Sequence, residues 1–235
     1  MQIVKLLVVF GLLLLPVGCG EVPKPLLHAL LGVDFPQSPK ADSPGWPHPK
    51  RIGLLVHSDT TQPGSAPAIS TKYLKTLGRR TEKALVEQCG VEAIESVEFN
   101  LSADSRDQML GEFRVQGQEQ KFSHVILVVF SSTEQGGPTV LGEERMMTQM
   151  SGTSIENTAL AEVGLFRIAD ERLLIDIPAG AQETLELLDA PIGEGQPSRE
   201  ESIDILRAQA AQQALDKSLN KFGQWCQGIP EKDWK

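Results

Sequence analysis

The chain is poor in the side chains that do most protein chemistry: three cysteines, four histidines and one tyrosine among 235 residues. His28, His48, His57 and His124 have no ligand-type spacing and Cys89 has no histidine beside it, so no metal site is expected. Neither G-x-S-x-G nor H-E-x-x-H occurs, and there is no P-loop and no G-x-G-x-x-G. These absences remove the nucleophile-elbow hydrolases, the zinc proteases and the commonest nucleotide binders, and no cofactor is implied. The net charge is −9 and no run of Lys and Arg forms a dense basic face, which excludes nucleic acid as an expected partner.

Long apolar runs are also missing. The longest, Leu6 to Val17, is far short of the roughly 20 residues that a membrane-crossing helix needs. It follows Lys5, the one charge in the first twenty residues, and it ends at the small residue Gly18, the pattern of a secretion signal over residues 1–18. Cys19 comes next. Leu15-Pro16-Val17-Gly18-Cys19 resembles the lipobox of bacterial lipoproteins, in which the cysteine becomes the lipidated first residue of the mature chain. The family prefers Leu where this chain has Pro16, and an ordinary cleaved signal that leaves Cys19 a plain thiol is the alternative. The resemblance implies an anchor of two or three acyl chains, which holds a protein stably on a membrane. Gly20 in place of Asp matches the pattern sorted to an outer membrane facing the periplasm. Losing Lys5 with the leader takes the formal charge to −10.

Residues 19–50 contain seven prolines between Pro23 and Pro49, which forbid continuous helix and favour extended chain, so this stretch reads as a tether. Within it "LLHALLGVDF" is apolar enough to dock as a short helix on the domain or on a partner. A single domain is expected over residues 51–226, with 227–235 as a tail. "RIGLLVHSD", residues 51–59, opens it as a buried strand, a helix follows to a stop at Gly90, and a half-exposed strand is expected around 94–99. A helix over 103–114 leads to "HVILVVF", residues 124–130, which reads as a central strand ending at a polar "SSTEQGGPT" loop. Residues 156–180 read as two strands joined at Ala169-Asp170-Glu171. Ser198 and Glu201 form a capping box for a final amphipathic helix over 198–222. The order predicts an α/β fold: a mixed sheet with helices packed on it and a long C-terminal amphipathic helix.

Cys89 and Cys226 each sit where a helix is expected to stop. An even pair in an exported chain reads either as a disulfide or as two buried thiols.

The lipobox, the Val33-Asp34-Phe35-Pro36 element, "RIGLLV", "HVILVVF", the hairpin "GLFRIADERLLIDIPAG" and the last amphipathic helix together resemble the rhombotarget lipoproteins, small bacterial lipoproteins named for genes near a rhomboid-type protease. More loosely, the strand order and hairpin are similar to the anticodon-binding-like α/β domain of curli-secretion lipoproteins and of the Tol system's periplasmic protein. The region 138–155 lacks the β-branched strand expected there. The resemblance implies a place in envelope assembly and assigns no catalytic residue.

Two functions are therefore weighed. One is a lipid-anchored, non-catalytic module that binds an envelope protein in surface-protein sorting, assembly or secretion, with a homo-oligomer as a variant. The other is a periplasmic hydrolase or small-ligand-binding lipoprotein with a site at His57 and Asp59 near the "SSTEQGGPT" loop. Ser218-x-x-Lys221 has the spacing of a nucleophile and base one helical turn apart, but such spacing arises readily by chance in a helix rich in Lys and Gln. Met146, Met147 and Met150 read as core filling or an exposed loop ahead of a soft-metal site.

Overall fold

The computed structural model describes residues 23, 25–27, 31, 45–97, 106–141, 150–188 and 197–234. Its elements are β1 (Arg51–Ser58), α1 (Thr71–Cys89), β2 (Ala93–Ser96), α2 (Arg106–Gln120), β3 (His124–Leu141), β4 (Met150–Arg167), β5 (Arg172–Leu188) and α3 (Arg199–Cys226). The five strands form one sheet in the order β2-β1-β3-β4-β5. Parallel pairing joins β2 to β1 and β1 to β3; antiparallel pairing joins β3 to β4 and β4 to β5. This is the mixed α/β sheet expected from the element order. No helix among the described residues is long and apolar enough to cross a membrane.

Both faces of the sheet are covered, which is why β3 begins as an unbroken apolar run. Ile126, Val128 and Phe130 join Leu54, Leu77, Leu85, Leu215 and Phe222 in a core beneath α1 and α3. Val125, Leu127 and Val129 point the other way and join Leu55, Phe113 of α2 and Phe166. On the first face α3 brings Ala210, Ala211 and Ala214, all buried, against Ala159 and Ala161 of β4. Small side chains on both partners let the helix lie close to the sheet. Ser198 caps α3 by accepting the Glu201 N–H at 3.1 Å, and Gly90 ends α1 at φ +69°, a left-handed position that costs glycine little.

Cys89 and Cys226, each the last residue of its helix, are joined by a disulfide with Cα atoms 5.2 Å apart. Trp46 closes over this end. Its indole donates to the Cys89 carbonyl at 3.0 Å and stacks edge-on against Phe222 and Trp225. Beyond the helix, Trp234 packs against the same core and donates to the Ile229 carbonyl at 2.9 Å.

The structure corrects the expected "SSTEQGGPT" loop. β3 runs straight through it, paired with β4 from His124↔Arg167 to Leu141↔Met150. The Gly-Gly-Pro sequence is tolerated because β1 ends at Ser58, so the far half of β3 has a full neighbour on one side alone, as an edge strand does. The same pairing makes residues 138–141 and 150–155, where no strand is legible in the sequence, parts of β3 and β4; residues 142–149 lie outside the described residues. β2 is shorter than expected and α2 lies further along the chain, at Arg106–Gln120.

Residues 19–50, read from their prolines as a tether, contribute to both cores. Trp46 belongs to the first, while Leu26, Leu27 and Leu31 are buried in the second against α2 and the sheet. Cys19, His28, Met146 and Met147 lie outside the described residues.

Candidate functional site

Register places an unusual set of polar groups on the second face. His57 pairs with Val129, and Val129 with Glu162; Gly164, two residues on, pairs with Asp176. Paired residues share a face and alternate residues repeat it, so His57, Glu162 and Asp176 stand on the face that also carries Leu55 and Phe166. Ser131 joins them two residues beyond Val129, with its hydroxyl buried and unpartnered among the described residues. Asp59, just past β1, is held by its own N–H donating to the Phe130 carbonyl at 2.7 Å.

Glu162 is the centre of this set. Its side chain is fully buried, and its carboxylate accepts the backbone N–H of Leu26 at 2.6 Å and of Leu27 at 3.2 Å. A glutamate on β4 thus clamps the N-terminal leucines, as an acidic group satisfies the free amides at the start of a helix. Gly164 supplies the room: a Cβ there would lie 2.8 Å from Leu27 Cδ1 and 3.0 Å from Leu173 Cδ1. Burial pushes the Glu162 carboxyl up to about 7; the two amide hydrogen bonds pull it down and the Asp59 charge adds to the rise. Asp176 is pushed up to about 8, first by burial and then by the Glu162 charge. Carboxyls in this range suit proton transfer near neutrality. Here, however, both oxygens of Glu162 are taken by strap amides and none of its surface is exposed.

The residues expected to form a site are placed as follows. His57 is partly buried, and burial lowers its pKa more than the Asp59 charge raises it. Asp59 is 2 % exposed and engaged locally, accepting the Thr61 N–H at 3.2 Å and its hydroxyl at 2.8 Å. Burial first, and then the Arg167 charge, lower the pKa of His124, and its Nδ1 lies 2.9 Å from the Ser123 hydroxyl. Ser218 donates its hydroxyl to the Ile177 carbonyl, so the Ser218-Lys221 pair presents no free nucleophile. Among the described residues no group of three or more His, Cys, Asp or Glu is placed to hold a metal ion. Glu162 and Asp176 were missed by inspection of the sequence. The one mark each carries is to be a lone carboxylate inside an apolar strand, in "ALAEVGLF" and "LLIDIP", a pattern that a solvent-facing position shares.

A second feature lies on the opposite face. Where β2 stops at Ser96, a cavity of about 420 Å³ opens between β1 and α1, floored by Leu54, Val56 and Leu74 and rimmed by Lys75, Arg79 and Glu82. His57 and Asp59 are not among its walls.

No family model matches the chain, and no curated protein sequence matches it. Its similarities are to solved structures. A neuraminyllactose-binding hemagglutinin homolog from Helicobacter pylori aligns at 10% identity and a TM-score of 0.45, over 85% of this chain and 95% of that one. Rare lipoprotein B from Shewanella oneidensis aligns at 13% identity and a TM-score of 0.28, over 73% and 92%. An uncharacterized lipoprotein B from Nitrosomonas europaea aligns at 11% identity and a TM-score of 0.34, over 86% and 98%.

Proposed function

We propose that this chain is a bacterial envelope lipoprotein of rhombotarget type, lipidated at Cys19 and held at the outer membrane facing the periplasm. Its α/β domain binds an envelope protein partner without catalysing a reaction, in surface-protein sorting, assembly or secretion. The observation that carries this reading is the clamped strap. Leu26 lies seven residues after Cys19, so a chain of at most about 25 Å links the lipidated residue to a segment built into the domain. Such a connection suits a domain that must sit close to its membrane.

The docking surface is backbone. Among the described residues the exposed large apolar side chains are Val86 and Val115, on different helices, so no apolar patch is offered there. The sheet has two long edges. The middle of β5 is blunted, since Pro178 has no N–H and Lys217 donates to the Gly180 carbonyl at 3.0 Å. From Glu134 to Leu141 β3 pairs only with β4 among the described residues, leaving backbone groups for an added strand on either side of Pro138, which has no N–H to offer.

Crosslinking in membranes tests the reading, with wild type and Cys19→Ala co-purified in parallel and the partners and mature N-terminus identified by mass spectrometry. A lipidated N-terminus and specific partners lost with the anchor are expected. An unlipidated N-terminus overturns the location, capture of further copies of this chain alone makes the partner a second copy, and no partner at all overturns the binding role.

A further inference from the structure

We propose that the cavity at the end of β2 binds a small monoanionic amphiphile, an apolar body carrying one carboxylate, with Lys75 and Arg79 holding the carboxylate and the β1 leucine and valine side chains receiving the body.

Among the described residues, the cavity opens where β2 stops alongside β1. β2 has four residues and its last partner is Leu54, paired with Ser96, while β1 continues to Ser58 with no neighbour on that side among the described residues. Above the gap α1 contributes Gly78, where a Cβ would meet Val56 Cγ2 at an ordinary 3.6 Å. A side chain of any size would therefore enter the cavity, and glycine leaves it open. At about 420 Å³ the space falls in the range of roughly 300–1,000 Å³ that small-molecule sites occupy.

The rim is chemically selective. Lys75, Arg79 and Glu82 recur one turn apart on α1, and all three line the cavity. Other arginines of the domain are paired with carboxylates: Arg51 with Glu95, Arg80 with Asp216, Arg167 with Asp170, Arg207 with Glu134. Lys75 and Arg79 have no ion pair or hydrogen bond among the described residues, in a chain with 31 acidic and 22 basic side chains. Two unpaired cations beside an apolar floor match an amphiphilic anion. Glu82 leaves the rim with one net positive charge, which suits a carboxylate better than a doubly charged phosphate monoester. The Thr71 and Ser96 hydroxyls, also at the cavity, add hydrogen-bonding capacity.

The test titrates the mature chain, with or without lipid at Cys19, with sodium octanoate; where the chain is lipidated it is held in lipid nanodiscs, and empty nanodiscs measure partition into lipid. Expected is saturable one-to-one binding above the blank, weakened at least tenfold in the Lys75→Glu, Arg79→Glu double variant and abolished in Gly78→Leu. Octan-1-ol and octylammonium should bind at least tenfold more weakly than octanoate. Lys75 and Arg79 are exposed, so their replacement leaves the fold intact; if Gly78→Leu fails to fold, Gly78→Ala should weaken binding by a smaller factor. Absence of saturable binding, equal binding by the charge-reversed variant, or tighter binding of octyl phosphate than of octanoate each overturns the proposal. The result is independent of the crosslinking experiment, which reads the partner and not the cavity.

Discussion

Glu162 accepts the backbone N–H of Leu26 at 2.6 Å across 136 residues of chain. The contact joins the N-terminal strap to the middle of the sheet. Truncating Glu162 to Ala leaves two buried amides without an acceptor, a cost of about 1–3 kcal/mol each where no water replaces it. The expected outcome for Glu162→Ala is faster hydrogen exchange at the Leu26 and Leu27 amides by tenfold or more, with exchange in α3 unchanged. Uniformly faster exchange in both regions would mean that the clamp supports the whole fold rather than the strap.

The sequence made the covered strands legible and left the special positions hidden. "RIGLLVHS" and "HVILVVF" carry their burial in unbroken apolar residues, and Ser198 with Glu201 announces the last helix. Gly136, Gly137 and Pro138 concealed the rest of β3, because local propensity disfavours a strand that only its pairing with β4 supports. Glu162 was hidden for a related reason. A lone acid in a strand reads as a solvent-facing position, and only the docked leucines, separated from it by most of the chain, turn it into a buried one. The prolines between Pro23 and Pro49 likewise gave a correct reading of local stiffness and no reading of what Leu27 and Trp46 would touch.

Gly164 makes the notch into which Leu27 fits. A methyl group there would press on Leu27 Cδ1, on Leu173 Cδ1 and, at 3.3 Å, on the Ile175 carbonyl. Overpacking of this kind costs about 1–3 kcal/mol, and the strap is the most readily displaced neighbour. Gly164→Ala should therefore expose the leucines to limited proteolysis while the β4 and β5 amides stay protected; equal loss of protection in the strands would show the sheet yielding instead.

The raised carboxyls fix the sign of a pH effect. Glu162 at about 7 and Asp176 at about 8 keep protons in the folded state that the unfolded chain gives up near pH 4. Their contribution to stability is fully present below about pH 4 and is lost as pH rises to about 8. His57 and His124 act in the opposite sense: burial lowers both, so acid below about pH 6.5 favours the unfolded chain. Asp176→Asn should flatten the alkaline fall in urea midpoint between about pH 5 and pH 9 and leave the acid side unchanged. An unchanged alkaline slope would place Asp176 in water.

The disulfide between Cys89 and Cys226 spans 137 residues and ties α1 to α3 beneath Trp46. In the chain-entropy account, closing so long a loop stabilises the fold by roughly 5 kcal/mol at most. Reduction, or a Cys89→Ser, Cys226→Ser double change, should lower the urea midpoint and red-shift the emission of the Trp46 and Trp225 cluster before the sheet unfolds. Coincident loss of both signals at the wild-type midpoint would show that the packing around Trp46 holds the two helix ends without the bridge.

On the proposed lipid anchor at Cys19, the strap would also set how far the domain stands from a bilayer. With Leu26 seated, the seven residues from Cys19 reach at most about 25 Å. Once the three leucines leave the sheet, the next core residue among the described ones is Trp46, and twenty-seven residues of chain from Cys19 at about 3.1 Å each would reach some 80 Å. Lipidated wild type on a supported bilayer should hold its protein layer close to the headgroups, and Gly164→Ala should raise and broaden that layer by tens of ångströms, read by neutron reflectometry. Equal heights would mean that the domain is kept at the surface by contacts of its own with lipid, leaving the clamp to secure the fold and the cysteine to supply only the attachment.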